Sequence, residues 1–198
     1  MELMRSLVWM DYRLAVLMAV GIPLVLLIWS VVKQSQPLLH LMAIYWRVAS
    51  LLAITVYLAI AAAPISFVTA IVARILIPIS LWFWIDLNEE IDDIPPARPI
   101  VLCFGAWRWG ITIYMALGAI AQLPSLQCAL LPKVDLIQND FCRVWLEAPW
   151  AYKQLFHSGS TEQFLGFIGI LGLIVYVTYF SYFVLIRLGK QGRMAVEQ

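Results

Sequence analysis

The chain has 198 residues, 63% of them apolar and 13% charged, with 13 basic against 12 acidic side chains and a net charge of +1. A soluble domain is about 45–50% apolar and about 25% charged, so this composition belongs to a membrane protein. It excludes a disordered chain, which needs low hydrophobicity and high charge, and a nucleic-acid binder, which needs a basic excess.

No Asp or Glu occurs from Tyr12 to Ile85. A spanning helix takes about 20 mostly apolar residues, because every backbone polar group must be paired within the protein. The expected fold class is therefore all-α, a polytopic transmembrane helix bundle of five spans forming one integral membrane domain over residues 1–198. A β-barrel would show alternation in short strands, and none is seen.

The first expected span is 14–32, with Gly21 and Pro23 near its middle. It is read as a retained helix, since Lys33-Gln34 rather than a small-x-small cleavage site follows it. The second and third spans, 38–63 and 65–85, are separated only by a turn near Ala63-Pro64. One helix across both, at about 48 residues, would overshoot any bilayer.

An acidic loop, 86–99, comes next. Asp86, Glu89, Glu90, Asp92 and Asp93 place five acids within eight residues. If the stretch is helical, Asp86, Glu89, Glu90 and Asp93 share one face. The readings are a solvated acidic face, a surface that docks on a basic partner, or a Mg²⁺ site built on Asp86, Glu89, Asp92 and Asp93. No second Asp-rich motif supports the last, and no metal site is expected. Pro95, Pro96 and Pro99 stop the helix and stiffen the approach to the fourth span, 100–121.

The long loop 122–163 precedes the fifth span, 164–186. Val134, Ile137, Phe141, Val144, Trp145 and Ala148 recur at spacings of three and four, which predicts an amphipathic interfacial helix ended by Pro149. That helix is either a lid on the bundle or a docking surface, with Trp145 and Trp150 as partner-docking candidates. Cys128 and Cys142 lie in the same loop and form a disulfide if it faces an oxidising compartment. In the last span Gly166, Gly169 and Gly172 let another helix approach closely.

Three arginines stand inside apolar spans: Arg47, Arg74 and Arg108. Arg at a span centre costs on the order of 2.5–3.5 kcal/mol, and no acid lies within these spans to pair with them. They snorkel to the headgroups, or are satisfied by carbonyls and the acidic loop, or bind an anionic lipid, cofactor or partner. The boundaries let all three reach the side that carries the acidic loop. Trp46-Arg47 and Trp107-Arg108 precede the similar stretches Ile54–Leu58 and Ile111–Met115, a hint of equivalent helices.

Lys and Arg in the connections divide evenly. Arg5, Arg13, Lys133, Arg143 and Lys153 fall on one side, and Lys33, Arg98, Arg187, Lys190 and Arg193 on the other. The cysteine pair and the basic tail favour a cytoplasmic C-terminus. His40 and His157 have no partner at metal-ligand spacing, and no nucleotide or hydrolase motif occurs.

The stretches Tyr45-Trp46-Arg47-Val48-Ala49-Ser50 and Leu81-Trp82-Phe83-Trp84-Ile85-Asp86-Leu87-Asn88, with the last span followed by Arg187, carry a resemblance. Over most of its length the chain resembles an uncharacterised family of small multi-pass membrane proteins of cyanobacteria and plastids. The resemblance implies a thylakoid membrane and a link to photosynthetic complexes, with no activity or catalytic residues to carry over. The expected function is a non-enzymatic accessory or assembly protein that docks on a larger, photosynthetic membrane complex. The alternative is a small transporter or anionic-lipid-binding protein that uses Arg47, Arg74 and Arg108. No cofactor is expected; membrane lipids surround the chain, and binding of a specific lipid or a pigment stays open.

Overall fold

A computed structural model describes residues 2–95 and 98–195; Pro96, expected to stiffen the fourth span, lies outside them. The fold is all-helical, with no strand among the described residues. Five helices are long and apolar enough to cross a membrane. They are α1 (Glu2–Val32), α2 (Gln36–Ile60), α3 (Ile65–Trp82), α5 (Pro99–Gln122, extended by a 3-10 stretch, Leu123–Leu130) and α8 (Glu162–Lys190). Three shorter helices lie between them: α4 (Ile85–Asp92), α6 (Lys133–Gln138) and α7 (Asp140–Phe156).

Helix α1 begins at Glu2, not near residue 14, because its charged first turns are held by α3, α5 and α7. At Leu17–Gly21 it widens to a π-helical register, with the Ile22 N–H donating to the Leu17 carbonyl. Pro23 explains this. Proline has no N–H, so Ala19 has no donor in the α register and Met18 has none in the π register. Buried side chains serve both: Trp107 Nε1 donates to the Met18 carbonyl at 2.8 Å, and Tyr45 Oη to the Ala19 carbonyl at 2.7 Å. The polar tips thereby dock α5 and α2 onto α1.

The same device recurs twice. Pro64 cannot donate to Ile60, and Trp150 Nε1 reaches that carbonyl at 3.1 Å. Pro149 cannot donate to Trp145, and Tyr12 Oη takes that carbonyl at 3.0 Å. Pro149 was expected to end the amphipathic helix. Instead α7 runs through it to Phe156, since the freed carbonyl is paired and the ring packs inward, buried.

Helix α2 is central. It packs on α1, on α3 through a tight turn in which Ala62 has a positive φ of 52°, and on α8. Thr55 and Thr69 join α2 to α3 through a buried hydroxyl pair at 2.9 Å. On α8 the face Gly166, Gly169 and Gly172 meets Ala61, Leu58 and Ile54 of α2 and the turn after it. A β-carbon on Gly169 would stand 3.1 Å from the Leu58 backbone, so glycine there sets how closely the helices approach. The main core gathers Tyr45, Leu41, Ile77, Phe104, Trp107 and Ile111.

The acidic stretch is a helix, α4, set off from α3 by a break at Phe83-Trp84. The chain beyond α8 folds back on that break. Arg193 Nε donates to the Phe83 carbonyl at 2.8 Å, the Ile85 N–H to the Arg193 carbonyl at 3.2 Å, and the Ala195 N–H to Asp86 Oδ2 at 2.7 Å.

Candidate functional site

The three intramembrane arginines do not converge. Arg74, buried in α3, ion-pairs with Asp11 of α1. Tyr114 Oη donates to both the Asp11 carbonyl and Oδ1 at 2.8 Å, and its ring lies 5.6 Å from the guanidinium. Gly118 opens the space: a β-carbon there would overlap Arg74 Nη1. The acid that pairs with Arg74 comes from outside the expected spans, because α1 extends far enough to bring Asp11 into the bundle. Arg74 is thus neutralised internally, turned away from the acidic side and from any anionic ligand.

Arg108 is buried in α5 and stacks on Trp82, its Cζ 3.5 Å from the ring centroid. Trp82 in turn donates to Thr112 Oγ1 at 3.0 Å and lies 4.7 Å from the ring of Trp109. Stacking of a desolvated guanidinium on indole offsets part of the cost of burying it. A cleft of about 490 Å³ beside it is lined by Asn88, Glu89 and Asp92 of α4. Arg108 therefore faces carboxylates, which argues against a role in anion capture.

Arg47 is different. Its side chain is exposed at the surface of α2, and its polar contact is Tyr179 Oη of α8 at 3.5 Å. The Trp46-Arg47 and Trp107-Arg108 pairs are not equivalent: Trp107 is buried against α1, while Trp46 is half-buried. Arg47 lines a groove of about 450 Å³ between α2, the end of α3 and the second half of α8. His40 and Arg187 stand along the same groove, with Phe83, Tyr176 and Phe183 in its walls.

The acidic docking candidates divide. Asp86 is engaged by the tail at Ala195, while Glu89, Glu90, Asp92 and Asp93 are exposed on α4. No group of three or more His, Cys, Asp or Glu with metal-holding geometry occurs among the described residues.

The long loop folds as a lid on the opposite side. The stretch expected as one amphipathic helix is two, since the Asn139 side chain accepts from Phe141 and Cys142 N–H at 3.0 and 3.2 Å and starts a new helix. Cys128 and Cys142 are joined by a disulfide, their Cα atoms 5.7 Å apart. Closing a loop of this length stabilises by about 3 kcal/mol in the chain-entropy picture. Glu147 accepts from Trp9 Nε1 at 3.3 Å and Arg5 Nε at 3.1 Å, and His157 pairs with Tyr57 Oη at 3.1 Å. Trp145 and Trp150, expected as partner contacts, instead pack on the core around the disulfide. The inner side of α7 packs on Ala59, Ala62 and Phe67 at the end of α2 and the start of α3.

Sequence reasoning missed Asp11, Tyr114 and Gly118 together. The available signal was the spacing Val8, Asp11, Ala15 and Ala19, which continues one helical face upstream of residue 14. No curated protein and no solved structure matches the chain. Over residues 5–196 it matches the family described as "Protein of unknown function (DUF3177)", and the chain belongs to that family.

Proposed function

We propose that the protein is a non-enzymatic accessory or assembly subunit of a larger membrane complex, with α8 as its docking helix. One observation carries this reading. Only 6% of the apolar stretch of α8 is buried within the protein, against 50% for α3. Helix α8 touches the bundle through its glycine face and leaves the rest of its circumference outward. That outward surface is not purely apolar: Ser181 and Tyr182 lie on it, exposed. Polar groups at membrane depth favour a protein neighbour that can bond them.

The resemblance supports a thylakoid membrane and a photosynthetic complex as the setting. The disulfide in the lid favours an oxidising compartment on that side, which leaves α4 and the C-terminus cytoplasmic. The exposed acids of α4 then offer a second contact to a basic partner surface.

A photoreactive residue placed at Val177, which is 52% exposed, tests the docking. In native membranes it is expected to give one protein adduct in high yield, the same partner that co-migrates with the chain in mild detergent. The same probe at Leu117 of α5 gives lipid adducts. Lipid adducts alone at Val177, with the chain migrating as a free monomer, would overturn the reading.

A further inference from the structure

We propose that the groove between α2, α3 and α8 holds one membrane lipid with an anionic headgroup, and that Arg47 is the residue that selects it. This inference is independent of docking through the outward face of α8, since the groove lies on the face turned toward α2.

The charge pattern carries the argument. Arg47 lines the groove with His40 nearby, and no acid is among the described residues of its lining. Of the other intramembrane arginines, Arg74 pairs with Asp11, and Arg108 is buried against Trp82 beside the acids of α4. Among the described residues Arg47 has no carboxylate within ion-pair distance, and its bond to the Tyr179 hydroxyl, an uncharged acceptor, is long at 3.5 Å. An unneutralised guanidinium facing hydrocarbon is costly, and an anionic headgroup removes that cost through charge-assisted bonds.

The depth fits. Arg47 lies eleven residues into α2 from Gln36, about 16 Å along the axis. Side chains lean toward the N-terminus of their helix, which for Arg47 is the side where His40 and the end of α8 stand. A headgroup held there keeps its acyl chains along the wall of Tyr176, Phe180 and Phe183. The groove opens because α8 hugs α2 through its glycines at one end, while bulky Tyr176 and Tyr179 keep the helices apart toward the other.

The test uses the full-length protein, stripped of lipid in detergent and reconstituted in vesicles of phosphatidylcholine with phosphatidylglycerol. Bound lipid is then read by native mass spectrometry. One phosphatidylglycerol is expected to be retained in preference to phosphatidylcholine. Arg47→Gln is expected to weaken its retention about tenfold, the scale of one charged hydrogen bond. Arg47→Lys keeps the charge but not the bidentate fork, and falls between the two. Arg13→Gln, an exposed arginine on α1, leaves retention unchanged. Equal retention of both lipids by the wild type, a neutral lipid in place of the anionic one, or an unchanged preference in folded Arg47→Gln would each overturn the proposal. Thermal melting of each variant in the same detergent separates loss of binding from loss of fold.

Discussion

Replacing Asp11 with alanine is expected to destabilise the bundle by about 3–5 kcal/mol, because it leaves the buried Arg74 guanidinium without its counter-charge. The Arg74 side chain is only 9% exposed and that of Asp11 24%, so water cannot take over the pairing. Tyr114 keeps the backbone carbonyl of residue 11 as acceptor, so the loss falls on the guanidinium, held in the shaped space over Gly118 without its partner. The pair is not needed for its attraction alone. A double variant, Asp11→Leu with Arg74→Met, removes both charges and keeps most of the volume, and it is expected to recover most of the loss. The measurement is denaturant unfolding in mixed micelles. A double variant no more stable than Asp11→Ala would show that volume and packing, not the orphaned charge, decide the site.

The second large effect concerns the proline-freed carbonyls. Tyr45→Phe keeps the ring in the core but removes the hydroxyl that donates to the Ala19 carbonyl, whose α-register donor is missing at Pro23. The expected cost is about 1–3 kcal/mol. Pro23→Ala returns the N–H that serves that carbonyl in the α register. In the Pro23→Ala background, Tyr45→Phe is therefore expected to cost less, and the double-mutant cycle reads the difference as a coupling energy. Two substitutions whose effects simply add would mean that Tyr45 contributes packing only. Tyr45 is fully buried and its ring lies 5.1 Å from that of Trp107, so the packing contribution is the same in both arms and cancels.

Much of the architecture was readable from the acid-free run and the spacing of apolar blocks, since a bilayer admits few alternatives to helices. The turn at Pro64 and the close packing of the α8 glycines followed from the same rules. The start of α1 did not. Asp11 and Arg13 read as the end of a span because an acid in lipid is costly, and that cost is removed by an arginine 63 residues away. Pro149 read as a helix stop for a sound local reason, which Tyr12 overrides from the far end of the chain. The three arginines looked like one set because they share a composition. Their different environments depend on Asp11, Trp82 and Tyr179, all brought in by tertiary contact. The helical form of α4 was conditional in the sequence. Its engagement by the tail was not visible, since it depends on backbone groups exposed at the Phe83-Trp84 break.

The bundle has two unlike ends: a disulfide-anchored lid at one, and α4 with the returning tail at the other. Single cysteines at Ser158 and Glu90, both exposed, measure this directly when Cys103, the one free cysteine, is replaced by alanine. With a membrane-impermeant maleimide on sealed native vesicles of known orientation, Ser158→Cys is expected to label from the oxidising side. Glu90→Cys is expected to label only from the cytoplasmic side, or after permeabilisation. Labelling of both from the same side would contradict the crossing of α5 between them and, with it, the two-sided arrangement of lid and α4.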